Sequence, residues 1–356
     1  MNQLTAYTLR LGDNCLVLSQ RLGEWCGHAP ELEIDLALAN IGLDLLGQAR
    51  NFLSYAAELA GEGDEDTLAF TRDERQFSNL LLVEQPNGNF ADTIARQYFI
   101  DAWHVALFTR LMESRDPQLA AISAKAIKEA RYHLRFSRGW LERLGNGTDV
   151  SGQKMQQAIN KLWRFTAELF DADEIDIALS EEGIAVDPRT LRAAWEAEVF
   201  AGINEATLNV PQEQAYRTGG KKGLHTEHLG PMLAEMQYLQ RVLPEGIVDF
   251  LCDFSANTFD LTRGKVADDA FLGMRNYLLV ALHLKLESVL RMPDPVAIQT
   301  ESSFFRDGEA IADSFELAHC MAAAIVQDFQ RTVNGDHIVN GGSIGYPGVE
   351  ELIKLT

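Results

Sequence analysis

Hydrophobic residues over the first 244 positions recur at three- and four-residue spacing, the period of helices that bury one face. The pattern predicts helices at about 4–26, 31–60, 90–114, 117–144, 151–169, 188–207 and 223–242. Their breaks carry matching punctuation. "AGEGDED" (60–66) ends the second, "PNGN" (86–89) precedes the third, and Asp116-Pro117 opens the fourth with proline in the first turn. "GNGTD" (145–149) and "VDPRT" (186–190) do the same further on. No convincing strand pair and no repeat of constant period is present. Long helices joined by short connections predict an all-α chain folded as a helical bundle.

One stretch departs from simple amphipathy. "DLALANIGLDLLGQARNF" (35–52) is nearly all apolar, yet Asn40, Asp44, Gln48 and Asn51 recur at steps of four, four and three. Those steps put all four on one side of a helix. Two readings compete: the line meets solvent, or it faces the inside of the bundle, where some proteins hold a metal.

After about residue 244 the pattern changes. Residues 245–356 read as a smaller, separate helical module, with helices at about 245–260, 267–292 and 307–334 and a glycine-rich tail at 334–348. Phenylalanines from Phe250 to Phe329 are dense here, as a small core or a buried interface requires.

Composition narrows the function. The chain of 356 residues has a formal net charge of −21. That sign opposes counterion-release binding, so nucleic acid is excluded, as are anionic membrane surfaces. Cys15, Cys26, Cys252 and Cys320 form no CxxC pair, which argues against a disulfide framework or a thiolate zinc site and for a reduced, cytoplasmic setting. The start lacks a secretory pattern, and runs such as "NYLLVALHL" (276–284) are too short to span a bilayer.

A helical bundle that binds two irons offers a Glu from each of two helices and a Glu-x-x-His pair from each of two others. Residues 1–244 contain near misses. Asp101 and His104 have the right spacing with Asp in place of Glu. Glu129 and His133 are four apart, and the three-residue register would put Ala130 where the carboxylate belongs. His225 and His228 lie three apart near the start of the last predicted helix; Asp44 and one of Glu196, Glu198 or Glu205 are the lone carboxylates available. The set reads either as a metal site or as a hydrogen-bonded interior network, and the network is the preferred reading. The one Glu-x-x-His, Glu316/His319, has no second copy in its module and reads as an ordinary helix face. "TGGKKG" (218–223) is a glycine-rich basic loop before a helix; it could meet a phosphate, though such loops are more often simply flexible.

The stretches 35–52, "RQFSNLLLVEQPNGNFADTIARQYFIDAWH" (75–104), "KEARYHLRFSRGW" (128–140) and "KKGLHTEHLGPMLAEMQYLQRVLP" (221–244) together resemble the C-type (PaaC) subunits of phenylacetyl-CoA epoxidase, a bacterial multicomponent monooxygenase of the ferritin-like class. The resemblance runs in order over residues 1–244. It implies a ferritin-like bundle in an enzyme that inserts one oxygen atom of O2 into the ring of phenylacetyl-CoA, giving a 1,2-epoxide, in aerobic phenylacetate breakdown. The di-iron centre is then expected in a homologous catalytic subunit, supplied with electrons from NADPH by an iron–sulfur flavoprotein reductase. This chain would be the structural partner, with no catalytic residue, metal or cofactor of its own. Asn40, Asp44, Gln48, Asp101, His104, Glu129 and His133 would be an interior polar network at the former iron positions, and Lys221 and Lys222 contacts for CoA phosphates.

The family chain normally stops soon after "QYLQRVLP", whereas this one continues for about a hundred residues that resemble nothing assigned, so a natural or engineered fusion is expected. Three hypotheses follow: a non-catalytic scaffold partnering the di-iron and other epoxidase subunits; a metal-binding oxidase in its own right through Asp101, His104, Glu129 and His133; or a chain whose C-terminal module supplies an interaction or homo-oligomerisation function.

Overall fold

The computed structural model describes residues 2–212 and 215–242. Glu245 closes the first of the two units into which the chain divides. The expectations for 245–356, including its three helices and Glu316/His319, lie outside the described residues.

Among the described residues the fold is all-helical, without a strand. It is the ferritin-like helical bundle that the sequence led us to expect. Helix α1 (Gln3–Gly23) packs along α2 (Leu32–Ala60). A short α3 (Glu65–Phe70) and a long connection lead to α4 (Phe90–Leu111), which packs along α5 (Pro117–Gly145); α2 also meets α5. Then come α6 (Asp149–Leu162), α7 (Glu174–Glu181), α8 (Arg192–Glu205), α9 (Leu229–Met236) and α10 (Tyr238–Val242).

The ends of these helices follow local chemistry. Gly61 ends α2 at φ 74°, in the left-handed region that glycine enters without steric cost. Asn89 caps α4 by accepting from the N–H groups of Ala91 and Asp92, while Asp92 accepts from Asn89 N–H. Asp116 accepts from Leu119 N–H at the start of α5, with Pro117 in its first turn.

The core lies between the paired helices. Leu16, Leu18, Leu38, Ile41, Phe52 and Phe99 are essentially inaccessible. Each such side chain contributes about 1.5–3 kcal/mol through burial. Helices α1 and α2 approach closely at Gly12, where an added Cβ would come within 2.7 Å of Leu53 Cδ2. No helix among the described residues is long and apolar enough to cross a membrane.

Three predicted helices are corrected. The segment 151–169 becomes a tighter 3₁₀ turn from Trp163 to Phe170 after α6 ends at Leu162. The segment 188–207 opens as a 3₁₀ turn, Pro188–Leu191, before α8. The segment 223–242 is not one helix. Gly223 is left-handed at φ 70°, and α9 begins only at Leu229, which places Pro231 in its first turn. A helix begun at 223 would carry that proline in its interior, where the missing N–H and the ring clash cost about 3 kcal/mol.

Candidate functional site

Four helices bring polar side chains into the bundle. Cys15 comes from α1 and Asp44 and Gln48 from α2. Helix α4 supplies Gln97, Asp101 and His104; α5 supplies Glu129, His133 and Ser137. Gln48 Nε2 donates to Glu129 Oε2 at 2.8 Å, and the Cys15 thiol donates to Gln48 Oε1 at 3.7 Å. Asp101 accepts at both oxygens, from Gln97 Nε2 and from the Ser137 hydroxyl, each at 2.7 Å. His133 Nε2 meets Asp44 Oδ2 at 3.0 Å; the carboxylate can only accept, so that nitrogen carries the proton.

Burial sets the charges of this cluster. Asp101 is fully inaccessible, and burial pushes its carboxyl up to about 6 against the lowering pull of His133, Ser137 and Gln97. Burial, reinforced by His133, drives His104 down to about 3, so it is neutral at neutral pH. Glu129 is raised by burial and by the Asp44 charge, with Gln48, Lys125 and His133 opposing. The Cys15 thiol is raised by burial and then by Glu129, so it holds its proton and is no nucleophile.

Of the residues singled out from sequence, Gln48, Asp101, His104, Glu129 and His133 enter this interior, and Asp44 stands at its edge with 38% of its side chain accessible. Asn40 is corrected: it is exposed, because the polar line on α2 runs from solvent at Asn40 inward to Gln48. Glu198 and Glu205 do not face inward either; both pair with Arg138, at 2.7 and 2.6 Å. Glu196 pairs with Arg192 on its own helix. Spacing alone did not reveal Cys15, Gln97 and Ser137, although Gln97 lies one turn before Asp101 on the same face.

This donor set does not fit a di-metal centre. Among the described residues, no three His, Cys, Asp or Glu side chains are grouped so that they could hold a metal ion. Gln48 occupies Glu129, Ser137 and Gln97 occupy Asp101, and the methyl of buried Ala130 fills the place of the carboxylate in the three-residue register with His133. His104 Nδ1 and His133 Nδ1 are buried without a hydrogen-bond partner.

The glycine-rich basic loop has also found internal partners. Glu168 is buried, and its Oε1 accepts from Gly219 and Gly220 N–H at 2.7 and 2.8 Å while Oε2 accepts from Leu81 N–H at 2.7 Å. A phosphate would need those same N–H groups. Lys221 donates to Asp176 Oδ2 at 2.7 Å and to the Asp171 carbonyl at 2.6 Å, so it too is engaged internally. Lys222 is exposed.

The "HTEH" pair serves a different junction. Glu84, fully buried, accepts from His225 Nδ1 at 2.8 Å, Thr226 N–H at 2.6 Å and Asn79 Nδ2 at 3.0 Å. His225 Nε2 faces the Phe77 carbonyl at 3.0 Å. Burial alone would lower His225, but the two acceptors outweigh it and raise its pKa. The stabilisation from this raised group is complete below the ordinary imidazole value of about 6.5 and is lost as pH rises through the folded value. The stability gap between the parent chain and His225→Gln should therefore narrow as pH is raised from 6 towards 9. Thermal melts across that range check it; a constant gap would mean that His225 stays neutral.

The family model for phenylacetic acid catabolic proteins, which groups A- and C-type chains, matches residues 1–247. The chain belongs to that family. Membership makes it a component of the multicomponent oxygenase system of phenylacetate catabolism. The matched residues include the whole first unit, Met1–Glu245, and with it every residue of the interior network.

Proposed function

We propose that this chain is the structural, non-catalytic C-type subunit of an oxygenase that epoxidises phenylacetyl-CoA, holding a homologous di-iron subunit in its active shape. The observation that carries the reading is the interior of the bundle. The positions from which a di-iron family member would bind metal hold an amide, a methyl and carboxylates already engaged by Gln48, Gln97 and Ser137. Such a network keeps the four helices in register without binding metal.

The test is size-exclusion chromatography with light scattering on this chain mixed with the catalytic subunit of the same system, followed by iron analysis of each component. The expected result is a stable complex whose iron resides in the partner, with epoxidation only when both are present. Absence of a complex would overturn the reading. So would stoichiometric iron in this chain alone that His133→Ala removes, which would favour an oxidase in its own right.

A further inference from the structure

Helix α5 carries a run of positive charge on a strongly negative chain. Its exposed face presents Lys125, Lys128, Arg131 and Arg135 at steps of three, three and four, with Tyr132 among them. Those steps gather the side chains into one stripe along the helix. At 1.5 Å per residue the stripe runs about 15 Å. No exposed residue of α5 from Pro117 to Arg135 is acidic, although the whole chain has a formal net charge of −21. The one acid in that span, Glu129, is half-buried and engaged by Gln48.

The fold leaves this charge largely unused. Among the described residues Lys128, Arg131 and Arg135 make no ion pair, whereas Arg138, further along the same helix, holds Glu142, Glu198 and Glu205. Lys125 acts on Glu129, opposing the rise of its carboxyl. Tyr132 is 44% exposed, and the Arg135 guanidinium lies 5.4 Å from its ring centre. Arginine and tyrosine are the residues that interfaces concentrate at their anchors. Like charges on neighbouring turns repel, so this face destabilises the isolated helix and an opposing negative surface would reverse the effect.

We propose that the α5 stripe is a docking surface for a carboxylate-bearing helix of the homologous di-iron subunit; this rests on the subunit pairing proposed above and names the face that makes it. Charge selects the occupant. A second copy docked about a two-fold axis would set the stripe against itself, cation to cation. A nucleic-acid duplex or an anionic bilayer would extend past the stripe onto the acidic remainder of the chain, which repels it. A single helix with acids at the same three- and four-residue spacing covers the stripe and little else. The family fold is built of long helices, so a homologue presents an element of that kind.

The test is the affinity of the full chain for the catalytic di-iron subunit, measured at about 0.1 M and about 1 M salt. Three chains are compared: the parent, Lys128→Glu/Arg135→Glu, and a control, Lys154→Glu/Arg217→Glu, whose residues are also exposed but lie off α5. At the lower salt the stripe variant should bind at least about tenfold more weakly than the parent, and the control within about twofold of it. High salt should weaken the parent and close the gap. The milder Lys128→Gln/Arg135→Gln should fall between parent and charge reversal, and matching melting temperatures separate a lost contact from a lost fold. The proposal is overturned if the stripe variants bind like the parent, in which case the subunit pairing stands without it. Equal weakening of stripe variant and control also overturns it, as an effect of net charge alone. If the parent forms no complex at either salt, the pairing itself fails and the stripe loses its occupant with it.

Discussion

Replacing Glu84 with alanine is expected to cost the chain about 3–5 kcal/mol, the range for removing one partner of a buried ion pair. Glu84 is the acceptor that three donors share. Its two oxygens serve His225, Thr226 N–H and Asn79, and both the Glu84 and His225 side chains are inaccessible. Removal leaves the imidazole, whose charge burial then opposes, and two neutral donors buried without their shared acceptor. Urea unfolding at pH 6 of the parent, Glu84→Ala, His225→Leu and the double variant measures the effect. The double variant should recover part of what Glu84→Ala loses, because it also removes the imidazole stranded without its acceptor. A loss below about 1 kcal/mol for Glu84→Ala would show that water reaches the carboxylate, the regime of surface pairs.

Asp101→Asn should act in the opposite direction and stabilise the protein by on the order of 3 kcal/mol at neutral pH. The folded carboxyl is raised by burial from 3.8 to about 6. Each tenfold change in proton affinity between the unfolded and folded states corresponds to about 1.4 kcal/mol. A raised carboxyl favours the folded state only where it is protonated, below its unfolded value. That advantage is lost as pH rises through about 6, so near neutrality the parent carries a buried charge that an amide lacks. The amide also keeps the contacts: its oxygen can accept from Gln97, and its nitrogen can donate to Ser137, whose hydroxyl can still reach the Leu134 carbonyl at 3.3 Å. Melting curves from pH 4 to pH 8 should converge at the acid end, separate between about pH 4 and pH 6, and keep a constant offset above that. A variant less stable than the parent at pH 7 would show that Asp101 is held as an anion by something that needs its charge.

Much of the architecture could be read directly from the chain, because its long helices have strong periodicity and explicit ends. Asn89, Asp116 and Thr148 cap where their residue types suggest. The misses share a cause: one motif has two roles, or a short element has too few turns to show a period. "AGEGDED" reads as the end of α2, which Gly61 closes, yet Asp64 in the same stretch opens α3 by accepting from Thr67 N–H. Helix α7 has only eight residues and announces itself chiefly through the Asp173/Asp176 capping box. In the site, spacing gave the side of α2 on which the polar line runs but not its depth. Depth depends on what lies over each residue: Gln48 sits between Cys15 of α1 and Glu129 of α5. Glu84 had no local signal at all, since its partner His225 is 141 residues away.

The Glu168 carboxylate joins stretches that are remote along the chain. It lies 87 residues from Leu81 and 51 from Gly219, and it binds the amides of both. Two long loops must close before any of these hydrogen bonds can form, so this junction has high contact order and belongs among the late events of folding. The same arithmetic applies in reverse. No local fraying can release the Leu81 amide without disturbing a residue far away in sequence. In deuterium oxide, the Leu81, Gly219 and Gly220 protons should exchange together through a shared, large-scale opening, although all three lie in connecting segments, where exchange is ordinarily fast.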